Sequence, residues 1–288
     1  MVHSTTPVAG LPMDLSDPAL RKGATGKLAR ALQLAKDLRR DMDAWWAVNP
    51  VRLEVTIRDE RFIDILAVTS PIPPVDDWYH RSADIMQNFR DALNRLTFAV
   101  SYLYTAPAKP RDASFPVRRD IDGWEMWRKK NNKLPDELMA RFLAFQPYIS
   151  GRPFLSALTD SNNIEKHEDG FQLYISLEEL KADGIFNLEG LWEDRDLQDH
   201  VKLAAGEALD LESGRQLIGT IEMPTQVLDM GDPGPTAEFT VTPVIRYDDE
   251  EIPILPAIDL IGREVAWAIA YITGVVDNSK TPPEHLEL

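Results

Sequence analysis

The sequence predicts an α+β protein: an N-terminal helical bundle with a small β-hairpin, followed by an antiparallel β-sheet region covered by a C-terminal helix. Over long stretches of the first half, apolar residues recur every three to four positions, which is typical of amphipathic helices. After Gly170 the period changes to two, which is typical of strands. No long helical pattern separates these strands, and this favours antiparallel pairing. We expect a disordered leader over 1–16, the bundle with a hairpin at 51–69 over 17–168, and the acidic sheet with its helix over 169–288.

The helices of the first half are predicted from their start and stop signals. Ser16 and Asp17 precede Pro18, an arrangement that favours a helix start. The apolar period continues from there until Asn49-Pro50, and prolines also end the second long helix. The predicted elements are the first helix to residue 49, the hairpin at 51–69, a second long helix over 77–105, and shorter helices near 123–131, 135–145 and 153–167.

The second half is predicted to contain strands and one helix. Alternating patterns predict strands near 171–175, 200–207, 215–223 and 238–247, with turns at 212–214 and 248–251. The last helix is expected near 257–275, where isoleucine and valine recur at helical spacing. It is too short to span a bilayer, and Arg263-Glu264 lies in its middle, so we interpret it as the cover of the sheet.

Composition and charge limit the classes of function. The chain has 288 residues and no cysteine, which excludes disulfide scaffolds, cysteine-ligated metal centres and thiol nucleophiles. The net charge of −16 is unevenly distributed, because residues 1–150 carry 22 Lys+Arg against 19 Asp+Glu, whereas residues 151–288 carry 9 against 28, a net of −19. Phosphate backbones and anionic lipid repel such an acidic half, so nucleic-acid contacts are expected only in the first half.

Two basic clusters lie in that first half. The first consists of seven basic residues between Arg21 and Arg40, which are opposed only by Asp37. The second consists of Arg128, Lys129, Lys130 and Lys133. Neither cluster is interleaved with regularly spaced aromatic residues, as single-strand binding would require, so solvated helix faces are favoured over a nucleic-acid surface.

The tryptophan pairs Trp45-Trp46 and Trp124/Trp127 have two interpretations. They could form a ligand box, or they could be core and docking anchors, and the second interpretation is preferred.

Polar residues concentrate on two of the predicted helices and form the candidate site. On the second long helix, four of the members are spaced by four, three and four residues and so share one face, and Arg90 lies between that face and the buried stripe. On the later helix, Asn163 and His167 are four residues apart, with Lys166 beside them. If the two helices pack antiparallel, these groups converge. The members are Asp84, Asn88, Arg90, Asp91 and Arg95 on the first helix and Asn163, Lys166 and His167 on the second.

Two interpretations of this cluster stay open. It holds the groups for metal-independent cleavage of a phosphodiester, with His167 as base or acid and with Arg90 and Lys166 neutralising charge on the phosphoryl oxygens. Alternatively, paired Arg and Asp side chains on neighbouring helices fix the packing register, and we prefer this structural interpretation. Under the first interpretation the remaining binding residues are Asp84, Asn88, Arg95 and Asn163.

Four segments of the sequence are familiar as a set: Asp84–Leu96, Phe115-Pro116, Gln146-Pro147-Tyr148 and Asn162–His167. Together they resemble a family of uncharacterised proteins from high-GC bacteria and their phages. The usage of 20 Arg to 11 Lys is compatible with such a genome. The helix of that family is in turn similar to the Arg-x4-His signature of HEPN domains, helical bundles that often act as metal-independent ribonucleases in toxin and antiphage systems.

The resemblance implies matching residues, and it also reveals a departure. The histidines that the signature places before Asn88 and five residues after Arg90 are Gln87 and Arg95 here. Standard HEPN ribonuclease chemistry is therefore lost unless His167 replaces the missing histidine. The positions that match are Asp84, Asn88, Arg90, Asn163, Lys166 and His167.

We therefore expect a non-catalytic intracellular protein with an interaction or regulatory role on a degenerate HEPN-like bundle, encoded by a bacterium or a phage. Its acidic half suits a basic protein partner. The alternative is a metal-independent ribonuclease that uses Arg90, Lys166 and His167, and RNA is a partner only in that case. Nucleophile elbows, Walker loops and dinucleotide fingerprints are absent, and no two of the five histidines have metal-ligand spacing. We expect no cofactor, no metal, no membrane contact and a cytoplasmic location; a homodimer is compatible with the sequence.

Overall fold

A computed structural model describes residues 15–59, 61–104, 114–118, 120–150, 155, 158, 171–181, 201–203, 209–210, 212–222, 236–247 and 250–275. The chain divides into two compact units. Unit 1 contains Met1–Leu34, Ala83–Lys166 and Ile258–Leu288, and unit 2 contains Ala35–Ser82 and His167–Ala257.

The helices of the described chain begin and end at the signals that the sequence carries. Asp17 accepts a hydrogen bond from the backbone N–H of Ala19 at 2.8 Å, and Pro18 occupies the first helical position, where its missing N–H costs nothing. Asn49 ends this helix by donating from its side chain to the carbonyl of Trp45 at 2.9 Å. The helices are α1 (Pro18–Val48), α2 (Val75–Tyr102), α3 (Ile121–Lys130), α4 (Asp136–Leu143), α5 (Pro147–Ser150) and α6 (Ile254–Ile272).

The strands form two antiparallel sheets in unit 2. One sheet has four strands in the order β1-β2-β5-β4, and the other has three in the order β3-β6-β7. Every described pairing between these strands is antiparallel, as predicted. The strands are β1 (Arg52–Arg58), β2 (Phe62–Val68), β3 (Phe171–Lys181), β4 (Val201–Leu203), β5 (Arg215–Glu222), β6 (Thr236–Tyr247) and β7 (Glu250–Pro253).

The hairpin formed by β1 and β2 is not an appendage of the helices. Its second strand pairs with β5, with Ile63 opposite Ile221 and Val68 opposite Arg215. The expected grouping of the hairpin with the helical segment 17–168 therefore differs from the compact units, which place the hairpin with the later strands. The physical reason is that an isolated two-stranded hairpin is at best marginally stable, and β5 adds a third strand beside β2, whose Ile63, Ile65 and Ala67 are buried.

The core of unit 1 is built from apolar stripes of several helices. On α2 the stripe that the sequence predicts is buried from Ile85 to Val100. Helix α6 approaches so closely that a Cβ built on Gly262 would lie 3.1 Å from both Leu32 and Phe89, which explains glycine at this position. Further along α6, Trp267 packs on Phe145 with ring centroids 4.8 Å apart.

The α+β class is therefore confirmed, with an N-terminal helix, a hairpin, an antiparallel sheet and a C-terminal helix. From Ile258 onward, α6 lies in unit 1, where Gly262 approaches Leu32 and Phe89 and Trp267 packs on Phe145. Glu250 and Glu251, predicted as part of a turn, belong to β7, where they pair with Tyr247 and Arg246. Of the predicted helix over 153–167, only Leu155 and Leu158 are described, and both are buried.

Candidate functional site

The candidate site lies on one face of α2, which we call the α2 polar face and define as Asp84, Asn88, Asp91 and Arg95. The spacing of four, three and four residues places these side chains along one side of the helix, as predicted. Asp84 and Arg95 are exposed, whereas Asn88 and Asp91 are half-buried. The opposite side of α2 carries the buried stripe, with Phe89 and Leu93 completely enclosed.

Lys27 of α1 binds the centre of the α2 polar face. Its ammonium Nζ lies 2.9 Å from Oδ2 of Asp91 and donates to Oδ1 of Asn88 at 3.2 Å. The second carboxylate oxygen of Asp91 accepts a hydrogen bond from Gln87 at 2.9 Å. Asn88 in turn donates to the backbone carbonyl of Asp84 at 2.8 Å. The two middle residues of the face are thus engaged within the molecule.

Sequence reasoning did not identify Lys27 as part of this cluster. The signal that could have found it is the basic cluster of α1, which contains Lys27, together with the excess of carboxylates on α2. The contacts of Lys27 with Asp91 and of Gly23 with Arg95 also fix the direction of the helices, since the partner number falls on α1 as it rises on α2. Within unit 1 the two helices are therefore antiparallel neighbours.

The arginines of the site lie in different surroundings. Arg95 is exposed, and its side chain runs past Gly23, where a built Cβ would be 3.9 Å from Cδ of Arg95. Arg90 is half-buried and takes part in an interaction of its own. Asn163, Lys166 and His167 lie outside the described residues. The convergence of Arg90 with Lys166 and His167 therefore stays a prediction.

Three segments that carry the family resemblance are joined by hydrogen bonds. Asn94 of α2 accepts from the backbone N–H of Phe115 at 3.0 Å. Gln146, which is fully buried, donates to the carbonyl of Pro116 at 2.6 Å and accepts from the backbone N–H of Arg118 at 3.0 Å. Its second amide hydrogen goes to the carbonyl of Phe142 at 2.9 Å. These motif residues therefore hold the extended segment 114–118 between α2 and α4, which is a structural role. We call this set of hydrogen bonds the clamp around segment 114–118.

Tyr148, the third residue of the Gln146-Pro147-Tyr148 motif, is the one unusual acid–base group near this clamp. Its hydroxyl is buried with no hydrogen-bond partner among the described atoms. Burial raises the pKa of Tyr148, and the negative charges of Glu125 and Asp120 raise it further. The phenol therefore stays protonated at neutral pH and is no source of a nucleophilic oxyanion there.

The tryptophan pairs pack against other aromatic rings, Trp124 and Trp127 as buried core residues and Trp45 and Trp46 as half-buried ones. Trp124 and Trp127 are both buried, and their rings stack with centroids 5.3 Å apart. The indole N–H of Trp127 donates to the carbonyl of Ser114. In unit 2, Trp45 and Trp46 pack against each other at 4.5 Å beside the buried Trp78, which places them as anchors of α1 on α2.

An open groove of about 280 Å³ lies between α3 and α4. Its apolar floor is formed by Leu134 and Met139, and its walls carry both signs of charge. Carboxylates and cations face the same small space, so the groove has no electrostatic preference for an anion or a cation. The lining residues are Glu125, Arg128, Lys129, Asn132, Leu134, Asp136 and Met139.

The described residues contain neither a metal-binding cluster nor a membrane-spanning helix. No three or more His, Asp or Glu side chains come together there in an arrangement that could hold a metal ion. None of the helices in the described ranges is both long enough and apolar enough to cross a bilayer.

Comparison with known proteins returned no significant match to a family model, a curated protein or a solved structure.

Proposed function

We propose that this chain is a non-catalytic interaction protein of the cytoplasm, built on a degenerate HEPN-like helical bundle, and that it binds a basic protein partner. The observation that carries the proposal is the contact of Lys27 with Asp91 and Asn88. Through this contact, the centre of the α2 polar face packs against α1. A face that is engaged in this way is a poor place to bind and cleave a substrate.

The competing proposal is a metal-independent ribonuclease with Arg90, Lys166 and His167 as its catalytic residues. Such an enzyme needs cations that can reach a phosphodiester and a histidine that transfers protons. The cation at the α2 polar face already neutralises the carboxylate of Asp91. The position where the resembling ribonucleases carry histidine is occupied by Arg95 here, and arginine is not among the side chains that serve as general acids or bases. Both facts support the non-catalytic proposal.

The charge distribution supports a basic partner. Residues 151–288 carry 28 Asp+Glu and 9 Lys+Arg, whereas residues 1–150 are close to neutral. A surface with one dominant sign of charge accelerates association with the opposite sign and disfavours like-charged partners. RNA and anionic lipid are therefore disfavoured for this half of the chain, and a lysine- and arginine-rich protein surface is favoured.

The first experiment tests whether the protein is catalytic. The purified full chain is incubated with single-stranded and structured RNA in EDTA, beside the variants Arg90→Ala and His167→Ala. We expect the RNA to stay intact in all three incubations. Cleavage by the unmodified chain that either variant abolishes would overturn the non-catalytic proposal and support the ribonuclease. Cleavage that both variants retain would indicate a contaminant, and the measurement is then repeated on protein purified without that activity.

The second experiment tests the class of partner. A fluorescent lysine- and arginine-rich peptide and a glutamate-rich peptide of equal length are titrated with the chain at low salt and at high salt. We expect binding of the basic peptide only, weakened at high salt. Carbodiimide then joins peptide lysines to carboxylates of the chain, and the expected cross-links lie in residues 151–288. No binding, or cross-links confined to residues 1–150, would overturn the proposed partner class.

A further inference from the structure

The first strand of the four-stranded sheet is an edge strand. In the order β1-β2-β5-β4, β1 has β2 on one side and, among the described strands, no neighbour on the other. Its last three residues, Thr56 to Arg58, are exposed. An edge strand presents a row of backbone N–H and C=O groups that can pair with another strand.

Apolar side chains of β1 continue the buried face of the sheet to this edge. Val55 lies opposite Ile65 and Ile57 lies opposite Ile63 in the β1–β2 register. Both partners on β2 are buried, at 5% and 2% exposure, whereas Ile57 is 37% exposed. At β1, the last described strand on this side of the sheet, Ile57 therefore leaves part of the apolar face exposed.

The sequence of β1 is complementary to itself when it pairs antiparallel about Thr56. A two-fold axis normal to the sheet leaves each side chain on the same face in both copies. Because side chains alternate between faces along a strand, such an axis must lie beside a residue that pairs with its own equivalent, which is the residue at the centre of the register. Centred on Thr56, Glu54 lies opposite Arg58 of the second copy and Val55 lies opposite Ile57. Thr56 lies opposite its own equivalent. Opposite charges, β-branched apolar pairs and Thr–Thr pairs are the combinations that stabilise antiparallel neighbours.

The neighbouring registers are less favourable. Centred on Val55, the pairing would place Arg52 opposite Arg58 of the second copy. Centred on Ile57, it would be confined to Thr56, Ile57 and Arg58, because β1 ends at Arg58. Like charges directly opposite each other destabilise a strand pair. Of these three registers, only the one centred on Thr56 brings opposite charges together at both ends.

We infer that two copies of this chain associate through their β1 strands, in antiparallel pairing centred on Thr56. The two four-stranded sheets then form one continuous sheet of eight strands about a two-fold axis. Pairing satisfies the outward backbone groups of both edges and covers Val55 and Ile57 of each copy. The occupant of the edge is a second copy because, in this register, β-branched Val55 faces Ile57. The Glu54–Arg215 and Arg58–Asp64 ion pairs of the two copies also meet there with opposite charges adjacent. This inference is independent of the proposed basic partner.

Single cysteines test the register directly, because the natural chain contains none. Residues directly opposite each other have Cβ atoms about 4.5–5.5 Å apart, and diagonal neighbours about 7–8 Å, whereas a disulfide needs about 3.5–4.5 Å. Under mild oxidation, Thr56→Cys is expected to form a covalent dimer at least about tenfold faster than Val55→Cys or Ile57→Cys alone. A mixture of Val55→Cys and Ile57→Cys is expected to cross-link as a heterodimer.

A matched control separates pairing from random collision. Thr25 is exposed on α1 and far from β1 in sequence, so Thr25→Cys reports the collision rate of an exposed thiol. Equal rates for Thr56→Cys and Thr25→Cys would overturn the inference. So would faster cross-linking of Val55→Cys or Ile57→Cys with itself than of Thr56→Cys, because that result would indicate another register.

A charge experiment tests the same contact without a covalent bond. Thr56→Lys and Thr56→Glu each place like charges at the two-fold axis, so each variant alone is expected to sediment as a monomer. An equal mixture is expected to regain the dimer. Sedimentation of the natural chain as a monomer up to millimolar concentration would overturn the inference, as would a dimer that persists in both single variants. Circular dichroism of each variant checks that it is folded.

Discussion

Replacing Gln146 by leucine tests whether the clamp around segment 114–118 contributes to stability. The substitution keeps the side-chain volume nearly constant and removes three hydrogen bonds from a site with no solvent exposure. The carbonyl of Phe142 keeps a second partner, the N–H of Phe145 at 3.2 Å. The carbonyl of Pro116 and the N–H of Arg118 lose the partners described for them. The variant thus leaves two unsatisfied backbone groups.

The expected cost follows from these two groups. A buried donor or acceptor without a partner costs about 1–3 kcal/mol. Leucine at the same position offsets part of this cost through its larger apolar surface, by about 1 kcal/mol. Two such groups cost about 2–6 kcal/mol, so with this offset the free energy of unfolding should fall by about 1–5 kcal/mol. For a chain of this size that corresponds to a decrease of about 2–20 °C in the melting temperature.

Calorimetry measures the melting temperature, and amide hydrogen exchange supplies a local measurement that a general loss of stability would not reproduce. The amide of Arg118 should exchange about tenfold faster for each 1.4 kcal/mol of local protection that is lost. Gln87→Leu is the matched control, because its hydrogen bond to Asp91 is exposed and its removal should change stability by less than about 0.5 kcal/mol. If Gln146→Leu behaves like this control and the exchange of the Arg118 amide is unchanged, the clamp argument is refuted.

Three further outcomes are expected, each read from urea unfolding. Gly214 has φ +67° and a Cβ there would lie 2.6 Å from the carbonyl oxygen of Thr69, so Gly214→Ala should lose at least about 1–2 kcal/mol; an unchanged midpoint would contradict this. Gly26 lies in α1 with nothing within 4 Å of a built Cβ, so Gly26→Ala should gain about 0.5–1 kcal/mol, and a loss would be inconsistent with open space. The hydrogen bond from Arg58 lowers the pKa of Asp64 in the folded protein. The stability that this interaction adds should therefore be fully present above the pKa of Asp64 in the unfolded chain, about 4, and be lost as the pH falls through the pKa in the folded protein. Asp64→Asn should therefore be less stable than the natural chain at pH 7, and this difference should shrink as the pH falls below about 4; a difference that stays constant with pH would refute the assignment.

The elements of the fold could be predicted to within a few residues because they depend on local patterns. The first helix was predicted to end near Asn49-Pro50 and ends at Val48, and the second was predicted from residue 77 and begins at Val75. Helix ends vary by one or two residues because their last turns have few intrahelical bonds. Period and breakers therefore determine which segments are helices and strands.

The pairing of strands could not be predicted in the same way. An alternating pattern shows that β2 has one buried face, but Ile63 could lie opposite any apolar residue of another strand. The partner observed is Ile221, which is distant in sequence. Likewise, acidic residues after Tyr247 resemble a turn, yet pairing with β6 makes Glu250 part of a strand. Such tertiary contacts override local preference because packing and pairing energies exceed the differences in intrinsic propensity.

The residues of the site could be predicted from local spacing, but their partner on the neighbouring helix could not. Helical geometry alone determines that Asp84, Asn88 and Asp91 share one face, and the structure agrees. The partner of that face depends on how α1 and α2 are registered, which no spacing within α2 contains. The signal was present as the basic cluster on α1, which is opposed only by Asp37. However, any of its seven basic residues could have been the partner of Asp91, and the sequence does not single out Lys27.

The choice of partner for Asp91 indicates what the polar face does. Arg95 lies four residues further along the same helix, a spacing at which Asp and Arg can pair locally. The carboxylate of Asp91 instead binds Lys27 of the neighbouring helix at 2.9 Å, with Gln87 on its other oxygen. A half-exposed ion pair contributes only about 0–1 kcal/mol to stability, so its larger effect is on which turns of α1 and α2 face each other. A phosphate that approached Lys27 would have to displace this carboxylate, and the displaced charge of Asp91 would then repel it. The α2 polar face is therefore better suited to holding two helices in register than to receiving an anionic substrate.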